Sequence, residues 1–134
     1  GWRGTVGEMG KKTVEAMREA YGSLPEDIFA AIGPSICQDC YEVGKDVAEP
    51  FEKLFSQERY QDVSMENILT EKVNGKYQLD LWRANEAILL STGILKEHLS
   101  MTDICTCCNP SYLFSHRASK GKRGNLAAFL MLKQ

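Results

Sequence analysis

Ile28-Phe29-Ala30-Ala31-Ile32 is an unbroken apolar run stopped by Gly33-Pro34-Ser35. It is too short for a helix, and it lacks the alternation of a strand with one wet face. It therefore predicts a strand buried on both faces, which needs packing partners on both sides. A helical pattern precedes it: Val6, Met9, Thr13, Met17 and Tyr21 recur at helical spacing, and Gly22 offers a stop. Thr5 and Glu8 have the spacing of a capping box at the start of that helix. Residues 40–43 read as a second extended piece. Residues 45–55 are again helical, with Val47, Phe51, Leu54 and Phe55 on one side; Pro50 implies that the helix starts near it or kinks there. Residues 56–67 are polar and read as a surface excursion. Asn74-Gly75 predicts a type I′ hairpin between residues 68–73 and 77–79. Asp80 caps a further helix through Leu81, Ala84, Ile88 and Leu89 to Gly93. Residues 102–106 and 125–132 read as strands, separated by a basic loop over 119–124. Alternating helices and strands in 134 residues predict one α/β domain.

The apolar fraction of 43% and charged fraction of 25% are those of a globular chain and argue against disorder. A net charge of -2 lacks the basic excess of a chain built to grip nucleic acid. No apolar run is long enough to span a membrane. The five cysteines form a C-x-x-C (Cys37, Cys40) and a C-x-C-C (Cys105, Cys107, Cys108). An odd count with no secretory signal fits reduced thiols in a cytoplasm. The gap between the clusters is far longer than in a compact zinc ribbon, and the first cluster is followed by extended chain rather than by the helix of a redox motif. Inert thiols and a metal or catalytic role both stay open.

Four stretches, in order, carry a family resemblance. They are Gly1-Trp2-Arg3-Gly4-Thr5; Ala31-Ile32-Gly33-Pro34-Ser35-Ile36 continuing to Cys40-Tyr41-Glu42-Val43-Gly44; Leu79-Asp80-Leu81 with Asn85; and Cys105-Thr106 with Phe114-Ser115-His116-Arg117 and Gly124. Together they resemble the laccase-domain family of YfiH type, also called polyphenol oxidases or purine nucleoside phosphorylases. The resemblance implies a layered α/β domain with mixed β-sheets covered by helices. It implies zinc-dependent phosphorolysis of adenosine, inosine and methylthioadenosine, with deamination of adenosine; copper-dependent oxidation of phenols is the older reading. The resemblance places the metal's two histidines and one cysteine ahead of Gly1. Residues 1–134 are then expected to be the carboxy-terminal part of one domain, with no ligand of that metal, inactive alone and prone to self-associate or to pair with the preceding half.

The resemblance also singles out residues. Arg3, at the mouth of the first helix, is expected to bind phosphate and to take part in catalysis; its plain alternative is a surface arginine packed on Trp2. Cys40 is expected to be a catalytic thiol near the metal pocket, its alternative a small buried hydrophobe. Ser35 lies in a tight turn at a strand end, where α/β sites gather. His116 and Arg117 are expected on a substrate-binding wall. From its unpatterned polar surroundings His98 is expected in solvent, and the local basic cluster of Arg117, Lys120, Lys122 and Arg123 reads as a solvated loop, its alternative an attraction for phosphate. A cysteine-bound zinc module using Cys37, Cys40, Cys105 and Cys107 is the non-catalytic alternative, and the supply of two histidines disfavours multi-copper chemistry.

Overall fold

The computed structural model describes residues 1–131. Among the described residues there are four α-helices: α1 (Trp2–Val6), α2 (Met9–Tyr21), α3 (Lys45–Phe55) and α4 (Leu81–Leu90). They accompany five short strands: β1 (Ala30–Ile32), β2 (Glu42–Val43), β3 (Leu69–Glu71), β4 (Tyr77–Leu79) and β5 (Leu99–Met101). The strands form two sheets, a parallel pair β1-β5 and an antiparallel sheet ordered β2-β4-β3. This is the mixed, helix-covered α/β architecture expected from the sequence.

The main core lies between α3, α4 and the antiparallel sheet, where Phe51, Tyr60, Ile68, Leu79 and Ile88 are the largest fully buried side chains. α3 contributes Ala48, Phe51, Leu54 and Phe55; Phe51, Leu54 and Phe55 are as expected from helical spacing, while Ala48 takes the fully buried place and the expected Val47 is only partly buried. The helix neither stops nor starts at Pro50 but runs through it, because these four buried positions outweigh one lost hydrogen bond. A smaller core of Val14, Ile28 and Ile94 joins α2 to the start of the parallel pair.

Several local expectations are corrected. The first helix is broken: α1 ends at Gly7, and Glu8 takes a left-handed conformation at φ 52° with no side-chain cap to α2. Its carboxylate instead accepts from the Tyr60 hydroxyl at 2.6 Å and from Arg59 at 2.7 Å. That demand brings Tyr60 into the core, so residues 56–67 are not merely a surface excursion. β1 is shorter than the apolar run and open on one face, with Phe29 75% exposed. His98 stacks on Phe29 at 3.9 Å between ring centroids, so it is not simply in solvent. The Asn-Gly turn is not type I′, since Asn74 is not at positive φ; Lys72 C=O accepts from Gly75 N–H, and Gly75 alone takes φ 72°. The strand expected over 102–106 lies earlier, as β5. Pro34 has no N–H for the ladder, so the parallel pairing breaks and resumes as a single bridge between Ser35 and Cys105. Residues 125–131 form no strand, and Leu132, the end of that expected element, lies outside the described residues.

Asp80 accepts from the backbone N–H of Arg83 at 2.9 Å, the N-cap expected for α4. In the second sheet Glu42 accepts from Lys76 at 3.0 Å and pairs with Lys72. The Lys72 and Lys76 hydrogen bonds hold its carboxyl at about 2. A depressed carboxylate stabilises the fold fully above its unfolded value of about 4.3 and loses that contribution as pH falls toward the folded value. Replacing Glu42 by Gln should therefore flatten the acid limb of the stability profile in that window while changing its neutral-pH slope little. Denaturant midpoints measured across that range check it.

Candidate functional site

A cleft of about 760 Å³ opens where α1, the Gly33–Ile36 turn, β2, the start of α3 and the 114–124 loop meet. That is the size of a pocket for a small organic ligand. Arg3, Ser35, His116 and Arg117 all line it. The fold brings them from sequence positions more than a hundred residues apart. Short-range devices hold the walls. Thr5 is buried and accepts from Asn85 Nδ2 at 3.1 Å, which ties α1 to α4. The Arg3 guanidinium lies 4.6 Å over the Trp2 ring. Arg117 donates to the Glu42 carbonyl at 3.0 Å and sits 5.5 Å over the Tyr41 ring. Trp82 Nε1 donates to Ser35 Oγ, which leaves the hydroxyl proton of Ser35 free to donate.

The electrostatics favour an anion. Arg3, Arg117 and Arg123 line the cleft, and among the described residues neither Arg3 nor Arg117 pairs with a carboxylate. Of the two acids in the lining, Glu42 is already engaged by two lysines and Asp46 folds over Gly44 in the first turn of α3. Burial pushes the Tyr41 hydroxyl up, while the charges of Arg117 and Arg3 pull it down, so both guanidinium groups are felt at that phenol. The basic loop is therefore only partly a solvated one: Arg117 and Arg123 face the cleft, and Lys120 and Lys122 are exposed outside it. Gly124 earns its place sterically, since a Cβ there would meet the Phe114 ring at 2.8 Å.

Cys40 is not part of this lining, which contains no thiol and a single imidazole, His116. It belongs instead to a cluster with Cys37, Cys105 and Cys108, whose sulfur atoms all lie within 4.8 Å of one another and can hold a metal ion. The fourth member is Cys108 rather than Cys107. The cluster shares Cys37, Cys40 and Cys105 with the cysteine module considered from the sequence and differs from it in this one member. Hydrogen bonding with Cys108, with burial, holds the Cys40 thiol far above its usual range, the reverse of what an activated nucleophile needs. Burial pushes Cys105 up, but the N–H groups of Cys37 and Cys108 donate to its sulfur at 3.2 and 3.4 Å and bring it down to about 7. The sequence signal for this cluster was present: Cys105 and Cys108 are themselves a C-x-x-C, masked by Cys107 between them.

The family model described as multi-copper polyphenol oxidoreductase laccase matches residues 1–133. The chain belongs to this family. It is 37% identical over 134 residues to purine nucleoside phosphorylase YlmD of Bacillus subtilis, covering all of this chain and 46% of that protein. It is 40% identical over 117 residues to adenosine deaminase RL5, from an unknown prokaryotic organism, covering 87% of this chain and 42% of that protein. Among solved structures, YlmD from Geobacillus stearothermophilus superposes with a TM-score of 0.81 at 33% identity, covering 92% of this chain and 44% of that one. The chain thus spans a little under half the length of these relatives. No helix among the described residues is long and apolar enough to cross a membrane.

Proposed function

We propose that the cleft is the phosphate and nucleoside side of a purine nucleoside phosphorylase site that also deaminates adenosine. The observation that carries this reading is the convergence of Arg3 and Arg117, without carboxylate partners, on one pocket beside Tyr41, Ser35 and His116. In phosphorolysis a phosphate oxygen bonds to C1′ of the ribose, the glycosidic C–N bond breaks, and the base leaves with a proton. The nucleophile is an anion, and it must be held against the sugar with its charge balanced. Two guanidinium groups with fixed planes suit that task, because each can donate paired hydrogen bonds to phosphate oxygens. Arg117 is held from behind by the Glu42 carbonyl and the Tyr41 ring, so its position is set before substrate arrives. Ser35 and His116 supply polar contacts for the nucleoside, and Trp2, Tyr41 and Phe114 supply apolar and aromatic surface.

The lining does not by itself make a zinc or multi-copper site, since it offers one imidazole, two carboxylates and no thiol. The resemblance assigns the family's zinc to ligands outside this chain; when bound there it would activate water for deamination. Names of relatives that specify a phosphorylase and a deaminase support this reading over phenol oxidation. Clustered free cysteines support a reducing compartment, the cytoplasm.

The test is product analysis on the protein that contains this chain. Inosine with inorganic phosphate should yield hypoxanthine and ribose 1-phosphate in equal amounts, with no base released when phosphate is omitted. Base release that ignores phosphate and yields free ribose would replace phosphorolysis by hydrolysis.

A further inference from the structure

The Cys37, Cys40, Cys105 and Cys108 cluster lies outside the cleft lining and has no part in the phosphorolysis above. We propose that it is a structural zinc site, a tetrathiolate knot that fastens the segment after β1 to the loop after β5.

Three observations converge on it. The first is geometry. A tetrahedral zinc with Zn–S bonds of about 2.3 Å has sulfur-to-sulfur edges of about 3.8 Å. All four sulfur atoms lie within 4.8 Å of one another, and Cys40 and Cys108 are 3.5 Å apart. The set needs only small side-chain adjustments to close on an ion.

The second is motif. Both pairs are C-x-x-C, the spacing by which one tight turn presents two thiolates to the same ion. Each pair is built on such a turn: Gln38–Cys40 is a 3₁₀ turn, and Asn109 N–H closes a turn on the Cys105 carbonyl at 3.1 Å. The two pairs meet because parallel pairing resumes beyond β1 and β5, shifted by one residue, at the bridge between Ser35 and Cys105, where Thr106 N–H donates to the Ser35 carbonyl at 3.0 Å. Local spacing supplies the pairs, and sheet topology supplies the site.

The third is the surrounding hydrogen bonds. Backbone N–H groups of Cys37 and Cys108 both point at the Cys105 sulfur, at 3.2 and 3.4 Å. Amides aimed at a coordinating sulfur are the usual outer support of a thiolate ligand. Cys105 is also the buried member, at 5% exposure, while Cys108 is exposed, so the ion would sit at a protected but reachable depth. All four ligands are sulfur, which selects zinc over harder cations such as magnesium or calcium.

Such a knot would act on the cleft indirectly. Ser35 and Tyr41 bracket the first pair in sequence, and Thr106 lies inside the second; all three line the cleft. Zinc would hold those two walls at a fixed separation.

The experiment uses zinc alone, then cobalt alone, on the reduced chain after desalting. One zinc should be retained per chain, with four sulfur neighbours near 2.3 Å by X-ray absorption, and cobalt should give the intense visible bands of a tetrahedral thiolate site. Cys107→Ser should retain the full equivalent. Cys105→Ser and Cys108→Ser should each lose stoichiometric retention. Because those variants could unfold, the unsubstituted chain decides independently through its sulfur count. Fewer than four sulfur neighbours, no retained zinc, retention unaffected by Cys105→Ser with Cys108→Ser, or a Cys40–Cys108 disulfide under non-reducing isolation in place of metal would each overturn the proposal. These outcomes do not depend on nucleoside turnover, so failure here and failure of the phosphorylase reading are separable.

Discussion

Replacing Phe51 by Ala is expected to lower the folding stability by about 3–5 kcal/mol, the usual range for emptying a fully buried aromatic site. Phe51 has no exposed surface and lies at the centre of the main core with Leu54, Leu79 and Ile88. It sits on α3 between one turn carrying Ala48 and another carrying Leu54 and Phe55, all buried. β4 packs against α3, and Leu81, Ala84 and Ile88 of α4 belong to the same core, so the surroundings of Phe51 have little room to collapse into the space left behind. Domains of this kind have only about 5–15 kcal/mol in total, so the variant should unfold at a much lower denaturant concentration with an unchanged slope. Val73→Ala is the control: Val73 is fully exposed in the hairpin loop and should shift stability by less than about 0.5 kcal/mol. Equal shifts for the two would show that the core is not where the fold places it.

The parts of this fold that were legible in the sequence are those set by neighbours in the chain. α4 follows from Asp80, whose side chain reaches the Arg83 amide three residues on, and from the spacing of Leu81, Ala84 and Ile88. The stripe of α3 was readable for the same reason. What failed depended on partners far away. Thr5 and Glu8 have the spacing of a cap, yet Thr5 is taken by Asn85 and Glu8 by Arg59 and Tyr60. The apolar run 28–32 promised two covered faces, and the structure covers one, leaving Phe29 against His98.

The candidate site divides in the same way. Arg3, Ser35, His116 and Arg117 were named from short motifs, and the fold places all four on one cleft. Cys40 was grouped with them because it neighbours the Tyr41 motif. Its side chain points into the thiol cluster instead, since alternate residues around a short turn and strand face opposite ways. The two cysteine motifs were legible, but not that they meet or that Cys108 rather than Cys107 joins them, because spacing along the chain carries no information about which strands pair. The parallel pairing of β1 with β5, and the bridge of Ser35 with Cys105 beyond it, set Cys37 beside Cys105.

Arg3→Ala carries the largest expected effect on chemistry. The Arg3 guanidinium lies over Trp2 at the edge of the cleft and has no carboxylate to neutralise it among the described residues. Its loss removes a charge-assisted contact to the incoming phosphate, worth about 1.5–3 kcal/mol. That converts to a fall of roughly 10- to 150-fold in phosphorolysis. The loss should be concentrated at low phosphate, because the contact is to the anion. Deamination of adenosine uses water as its nucleophile and should change little, by less than about threefold on the same scale. Packing of Arg3 on Trp2 is common to both reactions, so a merely structural role would depress both together. The deciding measurement is therefore the ratio of phosphorolysis to deamination in Arg3→Ala against the unsubstituted protein, with adenosine as the common substrate. A ratio that falls at least about tenfold, recovering in part as phosphate is raised, is the result expected from an anion-binding cleft. An unchanged ratio, with both activities lost in equal measure, would contradict it.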